Sequence, residues 1–184
     1  MDPKKNIKTT SISGLLILER PTYEDERGFF KEVFHLNELN EALGWEFKPI
    51  QWNHSRSKKK VLRGQHAENW NKLVYPITGQ VFAAVLDIRP ESETFGKVET
   101  FNFNESSRFA LFIPKGFANS FCVTGEEDVD YLYLVDAYYD GTDTTAIAWD
   151  DPDLAIDWPI SDPIISKRDK NNPKIRDLFP EKFR

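Results

Sequence analysis

The sequence predicts an all-β fold, an antiparallel sandwich or barrel with a few short helices. Short apolar or alternating segments are separated by turn residues about every 8 to 15 positions. Aromatic residues make up 14% of the chain, fourteen Phe and five Trp among them, which suits pleated, core-facing strands. Only one stretch carries a helical period.

Taken in order, Gly14-Leu15-Leu16-Ile17-Leu18 is a short apolar run that ends in charge, as a buried strand does. Asp25-Glu26-Arg27-Gly28-Phe29-Phe30 is a charged turn with a glycine, after which two aromatics restart an extended segment. Leu36, Leu39 and Leu43 recur at three and four, with Asn37 near the start and Gly44 after the end, and predict a short amphipathic helix. From residue 47 the pattern is strand. Val81 to Ile88 is continuously apolar, Val98 to Phe103 alternates, and Tyr131 to Val135 alternates in bulk. Thr78-Gly79, Arg89-Pro90, Phe95-Gly96, Pro114-Lys115-Gly116, Gly125 and Asp140-Gly141 mark the turns between them. After Asp150-Asp151-Pro152 the chain is polar and rich in proline. Residues from about 160 to 184 are therefore expected to pack over the barrel as a tail rather than extend a sheet.

The 184 residues, 21.4 kDa, are enough for one substantial core, and no composition shift divides them, so a single domain over 1–184 is expected. A net charge of -6 and a pI near 5.2 exclude a nucleic-acid scaffold, which needs a basic field. Cys122 is the only cysteine, so there is neither an intramolecular disulfide nor a thiolate metal cluster, and a reducing compartment is expected. Met1 to Lys5 carries charge with no apolar run behind it, and no segment approaches the ~20 apolar residues of a membrane span. The expectation is a cytoplasmic protein that engages neither membrane nor nucleic acid.

The chemistry is concentrated in Arg63-Gly64-Gln65-His66, with Lys72 six residues on. A titratable base, a guanidinium and an amine on one short segment are what is needed to remove a proton beside a carbonyl and stabilise the resulting anion. The chain has only three histidines to supply a base near neutral pH. His35 lies at the helix edge with nothing ionisable clustered about it and is read as a surface or packing residue. His54 is read as a structural hydrogen-bonding residue. His66 is the candidate.

A β-barrel with a Gly and His motif, followed about fifty residues later by Pro114-Lys115-Gly116-Phe117-Ala118-Asn119, resembles a cupin. Metal-binding cupins converge a His-x-His pair, a glutamate and a later histidine on one ion. Here the first motif offers only His66, and Asn119 stands where the later histidine would fall, so no metal is expected. The order of Asp25 to Glu32, Gln51-x-Asn53-x-Ser55, Val61-Leu62-Arg63-Gly64-x-His66, Lys72-Leu73-Val74, Asp87-Ile88-Arg89-x-x-Ser92-x-Thr94-Phe95-Gly96, Ile113-Pro114-x-Gly116-Phe117-Ala118, Trp149-x-Asp151-Pro152, Ile156-x-Trp158-Pro159 and Ser166-Lys167-Arg168-Asp169 sharpens this. From about Leu18 to Asp169 the chain resembles the dTDP-4-dehydrorhamnose 3,5-epimerase family, metal-independent jelly-roll cupins of nucleotide-sugar metabolism.

The resemblance implies a cofactor-free epimerase of a nucleotide-linked 4-keto-6-deoxyhexose, acting at C3, C5 or both in deoxysugar and cell-surface polysaccharide synthesis. It assigns His66 as base, Asp169 as the carboxylate that orients it, Lys72 as the cation on the enolate oxygen, and Tyr133 as the acid on the opposite face. Gln51, Asn53 and Arg63 would hold sugar and diphosphate, with Asn119 nearby, and Tyr138 would stack on the base. Arg27, Phe29 and Glu32 would complete the neighbouring subunit's nucleotide pocket, which implies a homodimer with exchanged N-terminal strands. By the two-residue period of a strand, Tyr131 shares a face with Tyr133. The chain departs from the family pattern in three places. Asn119-Ser120 replaces His-Gly, Gln65 stands where an apolar residue is usual, and Ala67-Glu68 replaces the aromatic and glutamine that commonly follow the histidine. They bear on the nucleotide and the sugar more than on the chemistry. Two other readings of the same fold are a sugar-nucleotide 3,4-ketoisomerase, which product NMR distinguishes, and a non-catalytic sugar-nucleotide-binding cupin, which has no use for the full set of base, carboxylate, lysine and tyrosine.

Overall fold

Apolar alternation on facing strands builds two antiparallel sheets around one core. A computed structural model describes residues 6–140 and 145–183. One sheet has six strands in the order β1 (Ile7–Thr9), β2 (Leu16–Leu18), β10 (Ala110–Ile113), β7 (Lys72–Pro76), β12 (Val129–Val135) and β5 (Gln51–Ser57). The other has five, β13 (Thr145–Ala146), β6 (Leu62–Ala67), β11 (Phe117–Val123), β8 (Val81–Asp87) and β9 (Val98–Phe103). A separate hairpin pairs β3 (Thr22–Asp25) with β4 (Gly28–Lys31). Strands of one sheet neighbour distant strands in sequence, as in a jelly roll. The all-β, cupin-type fold is therefore the one the sequence predicts.

Between the sheets, Val74, Leu111, Ile113, Val129 and Tyr131 meet Val81, Ala83, Val85, Phe101, Phe103, Phe121 and Val123. The continuous apolar run of β8 follows from burial on both faces. Residues 81, 83 and 85 point into this core, whereas Phe82 packs outward on Leu62, Cys122 and Trp158, and Leu86 on Ala118, Ile147, Leu154 and Ile175. The covering residues come from the chain after Ile147, including α2 (Ile175–Leu178), so much of the proline-rich segment supplies a second apolar layer.

The predicted helix is α1 (Leu36–Leu43), closed by Gly44 in the left-handed conformation, whose N–H donates to the Asn40 carbonyl at 2.9 Å. It lays Leu39 against Phe47, Phe112 and Leu16 on the outer face of the six-stranded sheet. Its N-cap is His35, and Asn37 makes no cap. Contrary to the expectation from sequence, His35 does have ionisable groups clustered about it. Glu32 and Glu38, three residues to either side, approach its ring at 3.2 and 3.3 Å, because the turn into the helix brings both together. His54 hydrogen-bonds Asp130 across the β5–β12 pair at 2.9 Å. Of the turn signals, Gly141 lies outside the described residues, as do Met1 to Lys5.

The Asp87-to-Gly96 motif has a structural use. The fully buried Asp87 carboxylate accepts hydrogen bonds from Arg89 Nε (2.8 Å), Ser92 Oγ (2.6 Å) and Thr94 Oγ1 (2.6 Å), which ties the β8–β9 connection. Burial pushes its pKa up, but these donors prevail and hold it at about 2. No described helix is long and apolar enough to cross a membrane.

Candidate active site

A cavity of about 270 Å³ opens between the sheets. Arg63 and His66 of β6 and Asn119 and Phe121 of β11 line one wall. Ser55 of β5, Lys72 and Val74 of β7, and Tyr131 and Tyr133 of β12 line the other. Glu68, Trp70, Tyr139 and Arg168 reach in from connecting segments. Polar groups from two opposed sheets thus converge on one space.

His66 occupies this wall because β6 can lie close to β11. Gly64 has φ near +134°, and a Cβ there would fall 2.2 Å from the Ser120 Cβ, so only glycine fits. Behind the imidazole the C-terminal segment returns. Ile164 bridges Val61 in parallel and accepts the Leu62 N–H at 3.0 Å, after which a 3₁₀ turn over Asp169–Asn171 delivers Asp169. The Asp169 carboxylate meets His66 Nε2 at 2.8 Å, and the Gly64 N–H and Arg168 Nε approach it at 3.4 and 3.3 Å. Asp169 is only 4% exposed. Burial pushes its pKa up, yet the hydrogen bond from His66 and the charge of that ring, aided by Gly64 and Arg168, bring it down to about 2. An ionised carboxylate only accepts, so Nε2 carries the hydrogen whether the ring is charged or neutral, and in the neutral ring the lone pair is on Nδ1. The pair is therefore a base with its tautomer fixed from behind.

Facing it, the Lys72 side chain is buried, with 6% of the residue exposed. Its ammonium donates to the Glu68 carboxylate and to Asn119 Oδ1 (2.7 Å) and lies 5.9 Å from the Tyr133 ring centre. Tyr133 is half-buried. Burial raises the pKa of its hydroxyl, the Glu68 charge raises it further, and Arg63 acts in the opposite sense. A phenol so placed stays protonated and is able to donate a proton. Tyr131 shares this face, as the strand period requires, but it is 3% exposed and stacks on Phe121 at 4.3 Å between ring centres.

The other candidates fall into three groups. Arg63 and Asn119 line the cavity, Arg63 being held by Ser57 Oγ at 2.8 Å and the Arg56 carbonyl at 3.2 Å. Gln51 and Asn53, on the inward face of β5, hydrogen-bond each other at 2.8 Å, and Gln51 Oε1 accepts the Tyr139 N–H at 3.2 Å. Of that face, Ser55 lines the cavity. Arg27, Phe29 and Glu32 belong to the hairpin and its exit, away from the cavity; Arg27 pairs with Asp25, and Glu32 with Arg20. Tyr138 is 68% exposed outside the cavity, while its neighbour Tyr139 lines it beside Trp70, ring centres 6.5 Å apart.

Glu68, Trp70, Tyr139, Arg168 and Ser55 are cavity residues that the sequence reading did not single out as such. Strand period places Glu68 on the face of His66, and Ser55 on that of Asn53, so two of the five had a signal. The others sit on connections, where spacing carries no direction. Among the described residues no three His, Cys, Asp or Glu side chains gather as a metal site.

The chain is similar to known proteins over nearly its whole length. The sequence profile described as dTDP-4-dehydrorhamnose 3,5-epimerase matches residues 9–177. A dTDP-4-dehydrorhamnose 3,5-epimerase of Shigella flexneri is 38% identical, over 94% of this chain and 97% of its own length. The crystal structure of a dTDP-6-deoxy-D-glucose-3,5-epimerase from Legionella pneumophila, in complex with dTDP-4-keto-L-rhamnose, superposes with a TM-score of 0.88 at 37% identity, covering 96% of this chain and 95% of that one. NovW, a 4-keto-6-deoxy sugar epimerase from the novobiocin biosynthetic gene cluster of Streptomyces spheroides, gives a TM-score of 0.90 at 29% identity, with 96% and 90% covered.

Proposed function

The chain belongs to the dTDP-4-dehydrorhamnose 3,5-epimerase family, and from that membership and the His66–Asp169 pair we propose that it epimerises a nucleotide-linked 4-keto-6-deoxyhexose at C3, C5 or both. The ketone at C4 acidifies the hydrogens on either side of it. His66 Nδ1 takes the proton from one of these carbons, and the C–H electron pair moves into the ring while the carbonyl pair moves to the C4 oxygen, giving an enolate. The Lys72 ammonium stabilises that oxygen, preorganised charge of this kind being worth about 3 kcal/mol of barrier. The Tyr133 hydroxyl then gives its proton to the same carbon from the other sheet, and the configuration inverts. His66 and Tyr133 return to their starting states by exchange with solvent, and the reaction calls for no cofactor.

The observation that carries this reading is the oriented base on one sheet facing an ammonium and a protonated phenol on the other. Arg63 and Arg168 at the cavity rim supply guanidinium groups for a diphosphate. A carbonyl-shifting isomerase would use the same base but return the proton to C4, so NMR of the product separates the two reactions. The direct test follows the hydrogens: in D₂O the purified protein is expected to place deuterium at C3, C5 or both of a dTDP-4-keto-6-deoxyhexose, and His66→Ala to lower that rate by roughly 10²- to 10⁴-fold. Absence of exchange with dTDP-, GDP-, CDP- and UDP-linked substrates alike would overturn the reading.

The working form is a homodimer in the cytoplasm. Every residue of the β3–β4 hairpin except its last is exposed, including Tyr23, Phe29 and Phe30, each more than 60% accessible. Three exposed aromatic rings on a solvent-facing two-stranded arm are costly unless something covers them. Exchanged between two copies, the arm would bring Arg27, Phe29 and Glu32 to the partner's nucleotide.

A further inference from the structure

We propose that Glu68 is a positioning residue for this reaction: with the Asn119 side-chain oxygen it clamps the buried Lys72 ammonium and leaves one of its N–H groups for the substrate oxygen. The proposal rests on the epimerase reading and adds to it a carboxylate inside the cavity. Glu68 Oε2 accepts a hydrogen bond from Lys72 Nζ, and both side chains are largely shielded, at 7% exposure for Lys72 and 16% for Glu68. Asn119 accepts the second N–H at 2.7 Å. An ammonium has three donors, so two such acceptors fix its direction and leave the third. A lysine stem unclamped in this space has several rotamers, and an oxyanion donor displaced by even an ångström loses much of its effect.

The carboxylate also faces the acid of the reaction. Tyr133 is surrounded by Glu68, Lys72 and Arg63 and shares its cavity with His66, Tyr131 and Arg168. Of the nearby charges, that of Glu68 favours the protonated phenol and that of Arg63 opposes it. Removing the charge of Glu68 while keeping its shape therefore lowers the pH at which Tyr133 loses its proton. Both variants remove this charge and only glutamine keeps an acceptor for Lys72, so kcat reports the clamp and the pH profile reports the charge.

Steady-state rates of wild type, Glu68→Gln and Glu68→Ala across pH test this. The alanine variant is expected to lose roughly 10- to 100-fold in kcat with little change in KM, because the donor loses its direction while the groups proposed to hold the substrate remain. Glutamine still accepts from Lys72 and is expected to recover most of kcat near neutrality, with the alkaline limb of its profile shifted to lower pH. A loss confined to KM would mean that Glu68 contacts the substrate itself, and unchanged kcat and pH profile in both variants would mean a structural pair; either result overturns the proposal. A wild type inactive on all substrates would instead refute the epimerase reading.

Discussion

His66 and Asp169 are 103 residues apart in sequence and 2.8 Å apart in the fold. Their pairing makes one residue's chemistry depend on another's charge. Asp169→Asn keeps the size of the side chain but removes the charge that stabilises a protonated His66 and lets an amide N–H face Nε2, which favours the wrong tautomer, and is expected to lower kcat by roughly 10²-fold or more. It also removes a pH dependence of stability. The native carboxyl is held at about 2, below its value in the unfolded chain, so its contribution is complete above the unfolded pKa and is lost as pH falls towards 2. Thermal melts from pH 5 to pH 2 are expected to fall more steeply for wild type than for Asp169→Asn; parallel curves would refute the assignment. At this scale His66, Arg63 and Lys72 were legible because they share a short segment, and Asp169 only through the resemblance. Nothing in a charged, proline-rich tail announces a carboxylate that becomes 96% buried.

Within β6, two adjacent residues are expected to respond to substitution in opposite directions. Gly64 lets the strand approach β11, and an added Cβ would meet both the side chain and the backbone of Ser120. Gly64→Ala is therefore expected to cost several kcal/mol, about 3 or more, through overpacking and a positive φ. Gln65 is fully buried, and among the described residues neither its Oε1 nor its Nε2 has a hydrogen-bond partner. An unpaired buried amide costs about 1 to 3 kcal/mol, so Gln65→Leu is expected to raise the denaturation midpoint. Urea unfolding of the two variants measures both signs. The glycine was legible in the motif that carries it, and the glutamine as a departure from an apolar position. What hides from sequence is which face of a strand is covered: β8 reads as one apolar run because the chain after Ile147 covers its outer side, and no local pattern reports that.

Across the whole molecule, the division of labour between two sheets explains how one cavity inverts a carbon. His66 is on the five-stranded sheet, and Lys72 and Tyr133 are on the six-stranded one, so in the proposed mechanism proton removal and return come from different walls. Fold class was legible from turn spacing and aromatic content. The cavity was not, since it depends on long-range pairings such as Asn119 opposite His66 and Val135 opposite Lys72. The exposed hairpin predicts the assembly: sedimentation is expected to give twice the 21.4 kDa chain mass, and Phe29→Ser with Phe30→Ser to weaken the dimer. A monomeric wild type would refute the exchanged arm. The account as a whole turns on the two-walled transfer, and one measurement reaches it directly: the wild-type protein in D₂O with a dTDP-4-keto-6-deoxyhexose, the product read by NMR. Inverted C3, C5 or both, each inverted carbon carrying one solvent-derived deuterium, is the predicted result. Inversion without deuterium, or deuterium without inversion, would contradict it.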